Sequence, residues 1–180
     1  MTYRCLLICQ HIIILSFIFV KMNFSNMTTL KKGDKAPAFS GINQHNTRIS
    51  LSDFSGKKVI LYFYPKDNTP GCTSEACDLN DHHQYWLDKG FKVIGVSPDN
   101  VSSHKKFAEK FGLQFDLIAD TELEILKSYE VWGEKKMYGK SYMGVLRTTF
   151  VIDENGIIEE IFTSVDTKNH TLQITETLNL

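Results

Sequence analysis

The chain has 180 residues, 42% of them hydrophobic and 23% charged, with a formal net charge of −1. This suits one domain with a sizeable core, and the near-neutral charge gives no sign of a nucleic-acid partner. The four cysteines are too few for a disulfide scaffold; they fall into two close pairs, Cys5/Cys9 and Cys72/Cys77, which points to reactive or incidental thiols.

Residues 1–26 stand apart from the rest. Ile12 to Val20 is an apolar run preceded by Arg4, as in a signal peptide, yet it is short for a bilayer span, and residues 21–27 offer no pair of small residues at cleavage spacing. A start at Met22 or Met27, giving a cytoplasmic product, is the favoured reading, because Met27-Thr-Thr-Leu-Lys-Lys-Gly-Asp resembles the opening of a soluble domain. Export or membrane anchoring through residues 1–26 are the alternatives. The folded domain is expected over residues 27–180, and Cys5 and Cys9 are expected to play no part in catalysis.

After the turn-rich lead-in Gly33-Asp-Lys-Ala-Pro37, the spacing of Phe39, Ile42, Ile49 and Leu51 predicts a small β-hairpin. Val59 to Tyr64 is an unbroken run of β-branched and aromatic residues, the pattern of a buried strand, and Pro65 ends it. A helix is then expected from Pro70 to Gly90, with Ala76, Leu79, His83 and Trp86/Leu87 facing the core and Cys77, Asp81, Gln84 and Asp88 on a polar face. Phe91 to Ser97 reads as a second buried strand and Val101 to Phe111 as a helix with Phe107, Ala108 and Phe111 on its apolar side. Phe115 to Ala119 is a short strand, and Asp120 or Thr121 can cap a further helix reaching Tyr129. Residues 131–146, with three glycines and little periodicity, read as a structured loop. Arg147 to Ile152 is a strand, Asp153 to Gly156 a hairpin turn, and Ile157 to Phe162 the returning antiparallel strand. A last helix, from Asn169-His170 to Leu180, shows a weak stripe at Leu172, Thr175/Glu176 and Leu178/Leu180. The alternation of strands and helices predicts an α/β sandwich with parallel neighbours.

The chemistry is expected at the start of the first helix. Thr69 is a good N-cap and Pro70 fits the first helical position, so Cys72 falls in the first turn. The unpaired N–H groups and positive dipole end there favour a thiolate, and the Thr69 hydroxyl can bond the same sulfur. Helix geometry separates the Cα atoms of Cys72 and Cys77 by roughly 8.7 Å, beyond the limit of about 7 Å for a disulfide. Either the pair never bridges, or the helix start unwinds when it does. The adjacent histidines His82 and His83 match no zinc spacing and read as a solvated face. The aromatic group Trp132, Tyr138 and Tyr142 reads as loop packing.

Pro65-Lys-Asp-Asn-Thr69-Pro-Gly-Cys72, with Cys77 following, resembles the peroxiredoxins, and specifically their bacterioferritin comigratory protein or Q-type subfamily. Gly33-Asp-Lys-Ala-Pro37, Leu61-Tyr-Phe-Tyr-Pro65, Trp132-Gly-Glu-Lys and Arg147-Thr-Thr-Phe-Val-Ile-Asp153 add to the likeness, which runs from about Leu30 to the C-terminus. The resemblance implies a thioredoxin-like α/β fold, a central mixed β-sheet flanked by helices. It implies a thiol peroxidase acting on hydrogen peroxide and organic hydroperoxides, without cofactor or metal. By position Cys72 becomes the peroxidatic nucleophile and Cys77 the resolving thiol; Thr69 and Arg147 orient and activate the reacting groups, Pro65 shields the pocket, and Glu75 holds the arginine. An intramolecular Cys72–Cys77 disulfide, opened by thioredoxin or a similar dithiol, is then implied, and with it unwinding of the helix start. The subfamily further implies a monomer or weak dimer. Two rival classes differ: a thioredoxin-type oxidoreductase wants Cys-x-x-Cys rather than Cys-x-x-x-x-Cys, and a redox sensor would pass Cys72 oxidation to a partner without peroxide turnover.

Overall fold

The β-rich segments pair into one seven-stranded mixed sheet in a computed structural model that describes residues 28–137 and 139–180. The apolar extension 1–26 and Tyr138 lie outside the described residues. The expected first hairpin forms from β1 (Ser40–Asn43) and β2 (Arg48–Ser50), paired antiparallel. Next come β3 (Lys58–Phe63), α1 (Pro70–Asp81), α2 (His83–Asp88), β4 (Phe91–Ser97), α3 (Val101–Phe111) and β5 (Asp116–Ala119). They are followed by α4 (Glu124–Ser128), a separate hairpin of β6 (Trp132–Met137) and β7 (Lys140–Val145), the strands β8 (Thr148–Ile152) and β9 (Ile158–Phe162), and α5 (His170–Leu178). The strand order is β2-β1-β5-β4-β3-β8-β9, with β3, β4 and β5 parallel, β8 antiparallel to β3, and β9 antiparallel to β8.

Alternation along β3 divides the core between the two faces of the sheet. Val59, Leu61 and Phe63 pack with Leu126, Tyr129 and Phe150 on one face. Ile60, Tyr62 and Tyr64 pack on the other with Cys72, Ala76, Leu79 and Trp86 of α1 and α2, Phe107 of α3 and Ile174 of α5. With both faces covered the strand has no polar side, which is why its sequence is an uninterrupted apolar run. Gly95 of β4, paired with Tyr62, is required by this packing. A Cβ there would stand 2.7 Å from Leu117 and 2.8 Å from the Tyr62 ring and hydroxyl.

Four expectations need correction. The single helix from Pro70 to Gly90 is two helices, because His82 leaves helical geometry (φ −103, ψ 18) and its Nδ1 lies 2.8 Å from the Asp78 carbonyl oxygen. Residues 131–146 are a β-hairpin rather than a loop. Glu134, Lys136 and Lys140 to Met143 are exposed, so the alternation that marks a half-buried strand is missing. The fourth helix begins at Glu124 rather than beside Asp120, since Leu123 takes φ +61; Asp120 caps it at a distance, accepting hydrogen bonds from the N–H groups of Glu124 and Leu126. In α5 the buried residues are His170, Thr171 and Ile174, whereas Leu172 is 54% exposed. Of the expected stripe only Leu178 packs against the core, one turn beyond Ile174, while Leu172 and Leu180 face outward and His170 and Thr171 take the buried positions.

Among the described residues no helix is long and apolar enough to cross a membrane. Gly95→Ala is expected to destabilise the protein by about 1–3 kcal/mol through overpacking against Tyr62 and Leu117, read as a lowered urea midpoint at unchanged slope.

Candidate active site

Cys72 is the third residue of α1 and is 1% exposed. Thr69 has the extended backbone of an N-cap (φ −86, ψ 149), and Pro70 opens the helix. The backbone therefore follows the local sequence, but the side chain does not: the Thr69 hydroxyl donates to the Lys66 carbonyl oxygen at 3.0 Å and caps no helical N–H. Its single proton is committed there, so the expected bond from this hydroxyl to the Cys72 sulfur is not made. Its lone pairs remain as acceptors.

Arg147 reaches the thiol because of strand register. The last antiparallel pair of β3 and β8 is Phe63 with Thr148, so the residue before Thr148 lies one step farther on, at the end of β3 where the chain turns into α1. The guanidinium Nη2 donates to Cys72 Sγ at 3.1 Å, and Nη1 donates to Glu75 Oε2 in an ion pair. Glu75 follows Cys72 by three residues, hence lies on the same helix face, and is fully buried. Thus Arg147 touches both Cys72 and Glu75. Pro65, half-buried, stands where the chain leaves β3.

Burial pushes the Glu75 carboxyl up to about 7, against the opposing pull of Arg147, and Asp78 adds to the rise. Its Oε1 has no protein hydrogen-bond partner among the described residues, which makes full ionisation costly. Burial pulls the Arg147 guanidinium down, but Glu75 and Cys72 outweigh it and hold the group above its ordinary value. Cys77 is half-buried, and burial followed by the Asp81 charge pushes its thiol up. The two cysteines are both free thiols, on different sides of α1.

Three residues near the site were not singled out from the sequence. Lys135 of β6 donates from Nζ to the Val145 carbonyl oxygen at 3.1 Å. Burial lowers its ammonium pKa, Arg147 lowers it further and Cys72 raises it, so the lysine lies within electrostatic range of both. With Leu146, Arg147, Thr148 and Thr163 it lines a hollow of about 250 Å³. Its signal was the Trp132-Gly-Glu-Lys match, which carried no role. Asp67 and His104 form a buried polar cluster behind the loop from Pro65 to Thr69. His104 occupies a core position on the apolar stripe of α3, and that placement was the available signal. His82 is exposed; His83 is half-buried, its ring 6.5 Å from that of Phe115. No group of three or more His, Cys, Asp or Glu among the described residues could hold a metal ion.

The chain belongs to the AhpC/TSA family, whose model matches residues 32–161. Within that family it is a peroxiredoxin of the bacterioferritin comigratory or Q type. It is 43% identical to peroxiredoxin Bcp of Bacillus subtilis over 150 residues, covering 83% of this chain and 96% of that protein. It is 41% identical to a putative peroxiredoxin bcp of Helicobacter pylori, covering 84% and 100%. Among solved structures, a cysteine variant of PrxQ from Xylella fastidiosa superposes with a TM-score of 0.78 at 32% identity, covering 83% of this chain and 96% of that one. A peroxiredoxin Q variant of Xanthomonas campestris gives 0.75 at 31%, covering 84% and 97%. The enzyme is a thiol peroxidase, and its fold is the thioredoxin-like mixed sheet flanked by helices.

Glu75 generates a pH dependence whose sign follows from its raised pKa. Between its ordinary value of 4.5 and about 7 the unfolded chain releases this proton while the folded protein keeps it, so stability falls as pH rises through that window. At about 1.4 kcal/mol per unit, this one group removes about 3 kcal/mol between pH 4 and pH 8. Glu75→Gln is expected to flatten the pH dependence of the urea midpoint across the same window.

Proposed function

We propose that Cys72 is the nucleophile that reduces hydrogen peroxide and organic hydroperoxides, that Cys77 resolves its sulfenic acid, and that thioredoxin or a similar dithiol restores both thiols. The observation that carries this reading is the contact of Arg147 Nη2 with a buried Cys72 Sγ in the first turn of α1. A fixed guanidinium stabilises the thiolate in the ground state and the oxygen that develops charge as the O–O bond breaks.

In the first step the Cys72 thiolate attacks the terminal oxygen of ROOH. An S–O bond forms, the O–O bond breaks, and the sulfur ends as sulfenic acid while RO⁻ leaves and takes a proton from solvent to give ROH. Arg147 supplies donors to both anions, and the backbone N–H groups of Gly71 and Cys72 add to them. The Thr69 hydroxyl, its proton held by Lys66 O, accepts from the peroxide O–H and so orients the attacked oxygen. Pro65 shields this pocket at the end of β3. Glu75 serves by holding Arg147 at the sulfur rather than by touching the peroxide.

In the second step the Cys77 thiol displaces water from the sulfenic acid and forms a disulfide. A regular helix keeps the two sulfurs too far apart to bond, so the first turn of α1 unwinds before this step. An external dithiol then reduces the disulfide by thiol exchange. The likeness to the Q-type subfamily supports a monomer or weak dimer as the working unit.

The test is peroxide consumption by the full-length protein coupled to a thioredoxin system. Cys72→Ser is expected to reduce turnover to background; retained turnover would overturn the assignment. After one equivalent of peroxide the wild-type mass should fall by two hydrogens, whereas Cys77→Ser should gain one oxygen and proceed to higher oxidation states. An unchanged wild-type mass removes the intramolecular disulfide.

The raised pKa of Cys77 makes resolution faster with rising pH, since the thiolate is the attacking species. Asp81→Asn removes a charge that opposes this ionisation, and is expected to speed disulfide formation about twofold at pH 7, measured by rapid quench after a peroxide pulse.

A further inference from the structure

The segment joining β3 to α1 carries Pro65 and Thr69 and sets the first turn in which Cys72 sits, yet it is tied down chiefly by one buried side chain. Asp67, 5% exposed, accepts a hydrogen bond from Tyr64 Oη at 2.8 Å and one from Ser103 Oγ at 2.7 Å. The His104 Nδ1 lies 2.9 Å from its Oδ2 and 3.1 Å from its Oδ1. The backbone N–H of Asp67 donates to Asp99 Oδ2 at 2.8 Å, and Ser97 Oγ donates to the same oxygen at 2.9 Å. His104 is fully buried, with Nε2 3.1 Å from the Ile118 carbonyl oxygen. One imidazole therefore spans from the loop to β5.

Topology explains why these groups meet. β3 and β4 run parallel, so the loop after β3, with Asp67, and the loop after β4, with Asp99, emerge at the same edge of the sheet, the edge that carries sites in open α/β folds. The next turn of chain is α3, which presents Ser103 and His104 to that edge. Buried polar groups are costly unless fully partnered, and a carboxylate that gathers three donors on a loop specifies one conformation of that loop. Asn68, next to Asp67, has φ +57, a left-handed turn position that asparagine accepts more readily than most residues.

We propose that Asp67 and His104 are positioning residues for the peroxide reaction: the buried carboxylate–imidazole pair pins the loop from Pro65 to Thr69 against α3 and so places Thr69 and the first turn of α1 around Cys72. Neither residue touches the sulfur or the peroxide; both act through the loop. This rests on the reading of Cys72 as the nucleophile, and the sign of one measurement separates positioning from simple charge. Removing the Asp67 negative charge can by Coulomb's law only favour a thiolate at Cys72. Releasing the loop does the reverse, because the first-turn N–H groups and Arg147 no longer converge on the sulfur.

The experiment uses the full chain with Cys77→Ser, so that only the first step is read. Asp67→Asn and His104→Gln are each compared for the second-order rate of Cys72 oxidation by hydrogen peroxide, and for the pH midpoint of Cys72 alkylation by iodoacetamide. The expected result for Asp67→Asn is a loss of about tenfold in rate with an alkylation midpoint raised above that of the parent, in a protein that still melts cooperatively. The double variant should lose no more than the worse single one, since both changes break the same contact. A rate within twofold of the parent, a lowered midpoint, or losses that multiply in the double variant would overturn the proposal. Should Asp67→Asn fail to fold, Ser103→Ala removes one donor to the same carboxylate; a two- to fourfold loss with a raised midpoint upholds the pair, and parity overturns it. Alkylation needs no peroxide, so a parent that alkylates normally but ignores peroxide refutes the peroxidase reading and leaves the positioning result to be judged separately.

Discussion

A guanidinium held between a buried carboxyl and a buried thiol is the contact around which this protein is arranged. Arg147 donates to Glu75 through one terminal nitrogen and to Cys72 through the other. The Glu75 carboxylate would not tolerate burial without it. Burial pushes the carboxyl up to about 7 even so. The contact depends on two independent facts: the register of β8 on β3, which brings Arg147 to the end of β3, and the i, i+3 spacing on α1, which puts Glu75 beneath Cys72. A one-residue slip of β8 would turn Arg147 to the other face of the sheet.

The helix that carries Cys72 and Glu75 is held unevenly along its length. The first turn of α1 has no side-chain cap at Thr69 and includes Gly71, whose backbone is the least restrained of any residue. Beyond it, Glu75, Ala76 and Leu79 are fully buried, and Asp78 accepts the Thr171 N–H of α5 at 2.6 Å. The helix is therefore least restrained at the turn that holds Cys72 and anchored from Asp78 onward. The half-buried Cys77 lies at the boundary between the two parts.

Much of the fold was legible because the central strands are unambiguous. Val59 to Tyr64 and Phe91 to Ser97 are apolar on both faces, a pattern that only a covered sheet explains, and α3 begins after Asn100 and ends before Gly112 because a cap and a left-handed glycine say so. The β6–β7 hairpin was not legible. With little to bury, it lacks the alternation by which strands announce themselves. The break at His82 was hidden for a different reason, since the core-facing spacing of Ala76, Leu79 and Trp86 continues across it.

For the site, local sequence by itself determined the placement of Cys72 in the first turn of a helix, because proline, threonine and glycine act through backbone conformation over a few residues. It also determined that Cys77 lies too far along that helix to bond while the helix stands. Only the tertiary structure decided which distant groups surround the sulfur. Strand register selected Arg147, the parallel β3–β4 pair brought Asp67 to Asp99 and α3, and the hairpin carried Lys135 toward Arg147. The Thr69 hydroxyl turned to Lys66 instead of the sulfur for the same reason: a side-chain hydrogen bond is settled by which acceptor the folded backbone brings within 3 Å, and that competition is not written in the spacing of residues.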